Sequence, residues 1–159
     1  MKGHEYRDRI AEFIVRNFEQ RGLKVYTEVS IGRSVGGTAR RVDLFLLHSQ
    51  RNKACVIECK LQESAGTADQ KLMYALQDVE ALRLPGFIVY AGKGISDGIR
   101  HKLECAASAV YALPRKNQVF IEPNVAELVQ ALALEFGWFD LLVQGKQAVR
   151  LQAEQVSAL

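Results

Sequence analysis

The sequence predicts an α/β fold with a mixed central β-sheet flanked by helices. Two patterns predict it: a helical stripe of apolar residues precedes three strand-like runs, and a second helical segment separates the third run from a fourth, all-apolar one. The 159 residues are 48% hydrophobic and 25% charged, a composition typical of a globular protein with a substantial core. We expect a single domain over residues 1–159.

The first helix is predicted over residues 4–21, followed by Gly22 as a stop signal. Its apolar residues recur every three or four positions: Tyr6, Ile10, Phe13, Ile14 and Phe18. Alternating apolar and polar residues then predict a half-buried strand over residues 23–31. The glycine-rich residues 32–39 predict a loop.

Two apolar runs, residues 42–47 and 54–61, flank a polar turn at 49–53 and predict a β-hairpin. A helix is expected to open at Gly66 and Thr67 and to continue to about residue 82. Thr67 is its predicted N-cap, and Gln70 three residues later completes a capping box.

The next strand is predicted over residues 87–91, where every residue is apolar, as in strands covered on both faces. The intervening helix makes this strand parallel to the preceding one. The remaining predicted elements are a helix from Ser96 or Asp97 to about 109, an edge strand at 118–121, a helix from the N-cap Asn124 to about 136, and a helical tail at 138–159. The core would span about 3–121 and the C-terminal helical extension about 124–159.

The charge and the cysteine content limit which classes of function are possible. The formal net charge of +3 permits a polyanionic partner without requiring one. The three cysteines, Cys55, Cys59 and Cys105, form no CxxC pair, so we expect reduced thiols and no zinc site. No apolar run is long enough to span a bilayer, and the N-terminus lacks a signal-peptide core. We therefore expect no membrane partner and a cytoplasmic location, in a prokaryotic or phage-infected cell.

Three charged residues fall within the hairpin strands: Asp43, Glu58 and Lys60. Charges are rare in buried strands unless they are paired or bound to a metal. Glu58 and Lys60 share one strand face, because they are two residues apart. Two neighbouring carboxylates favour a divalent cation such as Mg²⁺, and the Cys59 carbonyl can add a ligand. With Lys60 at the attacking water, these groups suit metal-assisted phosphodiester hydrolysis; a structural ion pair is the alternative.

Asp43 and the Glu58-Cys59-Lys60 run, each within an apolar strand, resemble the PD-(D/E)XK nuclease superfamily, in its restriction and homing endonuclease branch. Val42 replaces the usual proline before the aspartate. The resemblance continues from Gln62 to Lys71 and covers roughly residues 3–121. It implies the αβββαβ core of the restriction-endonuclease-like fold, followed here by C-terminal helices.

The resemblance implies that Asp43 and Glu58 bind Mg²⁺, that Mn²⁺ substitutes for it, and that Lys60 assists the water. It also implies a metal-binding glutamate on the first helix. Glu5 and Glu12 are both candidates, and Glu5 is favoured because the N-terminus of this helix usually lies nearer the site.

DNA is the expected substrate. Gln62 shares the strand face of Glu58 and Lys60 and can hold a water or a phosphate. Gln70 and Lys71 lie in the first turn of the second helix, whose N-terminus favours anions. The residues predicted to contact DNA are Arg33, Arg40, Arg41, Gln70 and Lys71.

The predicted function is Mg²⁺-dependent DNA endonuclease activity. Two alternatives remain open: a structure-specific, resolvase-like repair or recombination nuclease, and a catalytically silent module that only binds nucleic acid. Cutting both strands of a duplex requires two active sites, so we expect a homodimer or higher homo-oligomer. The C-terminal helix is its expected interface.

Overall fold

A computed structural model describes residues 1–33, 36–66 and 68–152. The elements are α1 (Gly3–Phe18), β1 (Leu23–Arg33), β2 (Ala39–His48), β3 (Lys53–Leu61), α2 (Ala68–Glu80), β4 (Gly86–Ala91), α3 (Asp97–Cys105), β5 (Ala109–Tyr111), α4 (Ala126–Phe136) and α5 (Phe139–Leu142). Short 3₁₀ turns lie at Glu19–Arg21, Ser49–Arg51 and Pro123–Val125. The predicted N-cap Thr67 lies outside the described residues.

The sheet has five strands in the order β1-β2-β3-β4-β5. The pairs β1–β2 and β2–β3 are antiparallel, whereas β3–β4 and β4–β5 are parallel. The predicted α/β class, hairpin and parallel crossover are therefore confirmed. Helix α2 supplies the crossover, because it returns the chain to the edge at which β3 began.

Helices cover both faces of the sheet. Helices α1 and α4 pack on one face and form the larger apolar cluster, while α2 and α3 pack on the other. Helix α1 buries the whole predicted stripe: Tyr6, Ile10, Phe13, Ile14 and Phe18. Each large apolar side chain buried in this way contributes roughly 1.5–3 kcal/mol, so packing holds the helix against the sheet. The Tyr6 hydroxyl donates to the Ala112 carbonyl (2.7 Å) and ties α1 to the segment after β5.

The third predicted helix was too long, and the predicted edge strand at residues 118–121 was wrong. Helix α3 ends at Cys105, and Ala109–Tyr111 pairs with β4 as the outermost strand. The Gln118 side chain accepts from the Arg115 N–H (2.9 Å) and donates to the Phe120 carbonyl (2.9 Å). Such local bonds satisfy backbone groups that a strand would have paired with its neighbour.

The C-terminal helices also differ from the prediction. Asn124 does not cap a helix; it lies in a 3₁₀ turn and donates to the Leu113 carbonyl (2.8 Å), and α4 starts at Ala126. Beyond Gly137, whose φ of 73° ends α4, only Phe139–Leu142 is helical among the described residues. The predicted tail helix is thus reduced to these four residues through residue 152, and residues 153–159 lie outside the described part. The apolar spacing of the tail predicted a longer helix, but Val149, one of the residues in that pattern, is exposed and is not packed in the core.

No helix among the residues that the structure describes combines the length and the apolar character needed to cross a membrane.

Candidate active site

Strands β2 and β3 bring the three predicted charges together. The paired residues of this hairpin extend from His48–Lys53 to Leu44–Ile57, and Asp43 follows directly beyond the last pair. There the Cys59 N–H donates to Oδ2 of Asp43 (2.8 Å). A side-chain carboxylate thus takes the place of the backbone carbonyl that would accept this bond if the strand pairing continued. This bond places the Asp43 carboxylate beside β3.

Glu58 is only 9% exposed. The pKa of Glu58 is raised from its ordinary value of 4.5 to about 7, chiefly by burial and also by charge repulsion from, and a hydrogen bond with, the neighbouring Asp43 carboxylate. The cations Lys60 and Arg40 oppose this rise in the pKa. Near neutral pH the two carboxylates are therefore satisfied either by sharing a proton or by an additional cation.

A cavity of about 220 Å³ opens beside Glu58. It lies between the sheet and α2, and its lining carries both signs of charge: Ala39, Arg40, Arg41, Glu58, Lys60, Ala75 and Asp78. Lys60 and Glu58 share this cavity, as their two-residue spacing predicts. The cavity is therefore a place where a water or a phosphate can meet both a carboxylate and an ammonium group.

Gln62 connects three parts of the site. Its Nε2 donates to the Gly94 carbonyl (3.0 Å) and to Oδ1 of Asp69 in the first turn of α2 (3.3 Å). Its Oε1 is buried and has no hydrogen-bond partner among the described residues. Gln62 thus holds the start of α2 beside the end of β3 and leaves one acceptor unsatisfied.

The Gly92-Lys93-Gly94 turn packs directly against the end of β3. A Cβ on Gly92 would lie 2.0 Å from the Gln62 carbonyl oxygen, and Gly92 has a φ of +120°. A Cβ on Gly94 would lie 2.4 Å from the backbone of Ser64. The Gly94 N–H also donates to the Gln62 carbonyl (2.9 Å). Both glycines are required by close backbone approach, which fixes the position of Gln62.

The first-helix glutamates have other partners in this structure. The Glu5 carboxylate accepts from the Lys2 N–H (2.8 Å) in a capping box, and Glu12 pairs with Arg16 (2.9 Å). Within residues 1–33, 36–66 and 68–152, no group of three or more His, Cys, Asp or Glu side chains could hold a metal ion. The predicted glutamate ligand therefore stays a prediction, and so does the role of the Cys59 carbonyl beside the two carboxylates.

The first-helix side chain that interacts electrostatically with Asp43 is an arginine, which the sequence reasoning missed. The pKa of Arg7 is raised by a hydrogen bond to Asp8 and, more weakly, by the charges of Glu28 and Asp43. Glu28 also bridges Arg7 (2.6 Å) and Arg41 (3.2 Å), and it does so from a left-handed φ of 58°. No sequence signal marks this geometry, because Glu28 falls at an ordinary polar position of an alternating strand.

The predicted DNA contacts occupy different environments. Arg33, Gln70 and Lys71 are exposed, and the side chain of Arg41 is 66% exposed beside Glu28. Arg40 is instead 7% exposed, with its guanidinium 3.6 Å from Oε1 of Glu58 and 3.6 Å from Oδ1 of Asp78. Asp78 was also missed, although it lies one helical turn after Ala75 on the face of α2 that meets the cavity.

Comparison with known proteins settles the family. A model described as the PD-(D/E)XK nuclease superfamily domain matches residues 2–139. The chain belongs to the PD-(D/E)XK nuclease superfamily. The matched residues of this nuclease-superfamily chain include the strands that carry Asp43, Glu58 and Lys60.

Among solved structures, the chain is similar to one described as the crystal structure of a protein of unknown function, AF1548. The two are 13% identical with a TM-score of 0.44, and the match covers 95% of this chain and 75% of that one. No curated protein matches the chain.

Nucleases of this superfamily typically use divalent metals, and the donors gathered here fit such an ion. The two carboxylates lie close together, one of them with a pKa raised to about 7, and a divalent cation would relieve their repulsion. Oxygen donors of this kind suit Mg²⁺, which is usually held by one or two carboxylates together with waters. Asp43, Glu58 and the Cys59 carbonyl are the residues that would hold it.

The raised pKa of Glu58 predicts how the stability of the metal-free protein depends on pH. The folded protein keeps the proton to about pH 7, whereas the unfolded chain loses it near 4.5. The contribution of Glu58 to stability is therefore greatest below pH 4.5 and is lost as pH rises through 7, by about 2 kcal/mol between pH 5 and 8. Glu58→Gln lacks this titration. Urea unfolding of both proteins in EDTA should show that the free energy of unfolding of the variant rises relative to that of wild type as the pH increases. Parallel pH profiles of the two proteins would contradict this.

Proposed function

We propose that this chain is a Mg²⁺-dependent endonuclease that hydrolyses DNA phosphodiester bonds. The observation that carries the proposal is the pairing of Asp43 with the buried Glu58, which lines a charged cavity together with Lys60 in a PD-(D/E)XK nuclease-superfamily domain. Mn²⁺ is expected to replace Mg²⁺, since both accept oxygen ligands.

Each residue has a distinct role in the proposed reaction. Asp43, Glu58 and the Cys59 carbonyl would hold the metal, which would supply Lewis acidity to the phosphate and to the attacking water. Lys60 orients that water from the same strand face as Glu58. The water oxygen forms a bond to phosphorus and gives up its proton, one P–O ester bond breaks, and the departing sugar oxygen takes a proton.

Gln62 is proposed to hold a water or a phosphate oxygen at the rim of the site. The Gln62 Nε2 already donates hydrogen bonds to Gly94 and Asp69. The unpartnered Oε1 is therefore the atom that can accept a further hydrogen bond. The natural donor for this oxygen is a water, which can in turn bind a phosphate.

The proposed path of the DNA backbone follows exposed cationic and amide side chains around the cavity. Arg33 and Arg41 lie on the β1–β2 side, and Gln70 and Lys71 lie on the first turn of α2. The N–H groups of that turn add to the attraction for a phosphate. These contacts carry no base information by themselves, so they position the backbone without selecting a sequence.

The nuclease proposal predicts cleavage of plasmid, linear or branched DNA with Mg²⁺ or Mn²⁺ and none in EDTA. Asp43→Asn, Glu58→Gln and Lys60→Met should each lower the rate more than about 100-fold, because each removes charge stabilisation at the reacting phosphate. Glu80→Gln is the matched control: it neutralises an exposed acid of α2 and should leave the rate unchanged.

The choice of substrate separates the alternatives. Branched DNA cut far faster than linear duplex would identify a structure-specific nuclease. Retention of DNA without cleavage under either ion would identify a binding module. Full activity of Asp43→Asn would refute the proposed site.

We also propose that the active form contains two or more copies of the chain, since two strands must be cut. The helix predicted to form the interface does not extend through the described residues. Exposed apolar side chains nevertheless lie on that part of the chain: Phe139, Leu142 and Val143, and Phe120 before α4. Ile121, the residue after Phe120, lines a cavity together with Leu142, and exposed apolar side chains that lie together often mark interaction surfaces.

Light scattering at micromolar concentration should give a mass at least twice 17.8 kDa. Phe120→Ser with Phe139→Ser should shift the protein toward the monomer, because both remove exposed apolar area. Tyr74→Ser, which removes an exposed aromatic from α2, is the control and should leave the mass unchanged. A strict monomer in wild type would contradict the oligomer.

A further inference from the structure

Arg40 is a buried cation whose hydrogen-bonding capacity is not used up. Its side chain is only 7% exposed, yet Nε has no hydrogen-bond partner among the described residues. Its two ion pairs, to Glu58 and Asp78, are each 3.6 Å long, beyond the usual N–H···O distance. A guanidinium N–H that is buried without an acceptor is costly, and Nε is such a group here. Arg40 is therefore prepared for an acceptor that is not part of the protein.

The charges around Arg40 indicate the class of that acceptor. The guanidinium lies on the cavity that Lys60 and Glu58 also line. In the proposed function Glu58 is committed to a divalent cation, so its carboxylate charge is no longer available to Arg40. The cation that remains, beside Lys60, matches a phosphate oxygen, which guanidinium groups bind with good geometry.

Asp78 is the group that keeps Arg40 in place under those conditions. It projects from α2 and lies nearest Nη1 of the guanidinium, whereas Glu58 lies nearest Nη2. The two acids therefore approach different nitrogens, and loss of one partner leaves the other in position. Asp78 is also partly buried, with 29% of its side chain exposed, so this pair is less screened than a surface pair.

We propose that Arg40 is a catalytic residue that binds a non-bridging oxygen of the scissile phosphate, and that Asp78 is its positioning residue. This inference rests on the proposed nuclease function and extends it to an acid on α2 outside the D…ExK motif. The same contact couples α2, with the predicted DNA contacts Gln70 and Lys71 in its first turn, to the reacting phosphate.

The activity test compares two acids of the same helix. Asp78→Asn should lower kcat about 10- to 100-fold, with KM changed less than about threefold. The reason is that the Arg40 guanidinium stabilises the transition state, and without Asp78 it is no longer held in the position from which it does so. Glu80→Gln removes an equal charge and should change neither constant. Arg40→Lys should resemble Asp78→Asn, since an ammonium cannot contact two partners as a planar fork does.

Chemical rescue separates positioning from a structural role. Methylguanidinium should restore part of the activity of Arg40→Ala and much less of the activity of Arg40→Ala combined with Asp78→Asn. Equal rescue of the two variants, or Asp78→Asn with wild-type kcat while Asp43→Asn is inactive, would overturn the inference and leave the nuclease proposal standing.

A binding measurement on wild type does not depend on cleavage. The Arg40 Nε–H resonance, assigned by its loss in Arg40→Lys, should shift when inorganic phosphate is added in the presence of Mg²⁺. The same addition should leave the Arg115 resonance, on an exposed pair with Glu122, unchanged. No shift at Arg40, or equal shifts at both arginines, would overturn the assignment even if the protein cuts DNA.

Discussion

The repulsion between two neighbouring carboxylates, of which Glu58 is buried and Asp43 half-buried, is the constraint on which the functional interpretation depends. Asp43 and Glu58 lie on neighbouring strands, and burial alone already disfavours the charged form of Glu58. A site of this kind costs folding free energy when no ion is bound, and a fold under no functional demand would be more stable with apolar residues there. Lys60 and Arg40 relieve the repulsion only in part, since the pKa of Glu58 still rises to about 7.

The surrounding elements keep this pair in place. The paired register of the hairpin ends at Leu44, next to Asp43, and the Cys59 N–H holds the Asp43 carboxylate beside β3, where it interacts with Glu58. Gln62 then joins the end of β3 to α2 and to the turn after β4, where two glycines allow the backbones to approach. Helices α1 and α4 on the opposite face supply the larger apolar cluster, so the energetic cost of the polar site is offset elsewhere in the sheet.

Much of this architecture could be predicted because it is local in sequence. The stripe of α1, the hairpin and the crossover follow from periodicity within single segments, and Glu58 and Lys60 share a cavity because strand side chains alternate. The three-residue strand β5 could not be found, because so short a run carries no period. The apolar residues at 118–121 show strand character, but the Gln118 side chain forms bonds that no propensity records.

The parts of the site that escaped prediction arise from tertiary contacts. Arg40 looks like a surface cation in the sequence, and only the packing of α2 over the sheet buries it between Glu58 and Asp78. Arg7 beside Asp43 likewise depends on how α1 crosses the strands. Charged side chains give no periodic signal of their partners, so long-range ion pairs are the features that sequence reasoning misses most readily.

Calorimetric titration of the DNA-free protein with Mn²⁺ at pH 7.5 tests the central claim most directly, since it asks whether the two carboxylates form a metal site. A metal site formed by Asp43 and Glu58 should give saturable binding in wild type, an affinity at least tenfold weaker, or no binding, in Asp43→Asn, and an unchanged affinity in Glu80→Gln. Equal affinity in wild type and Asp43→Asn, or no binding to either, would show that these carboxylates do not form a metal site.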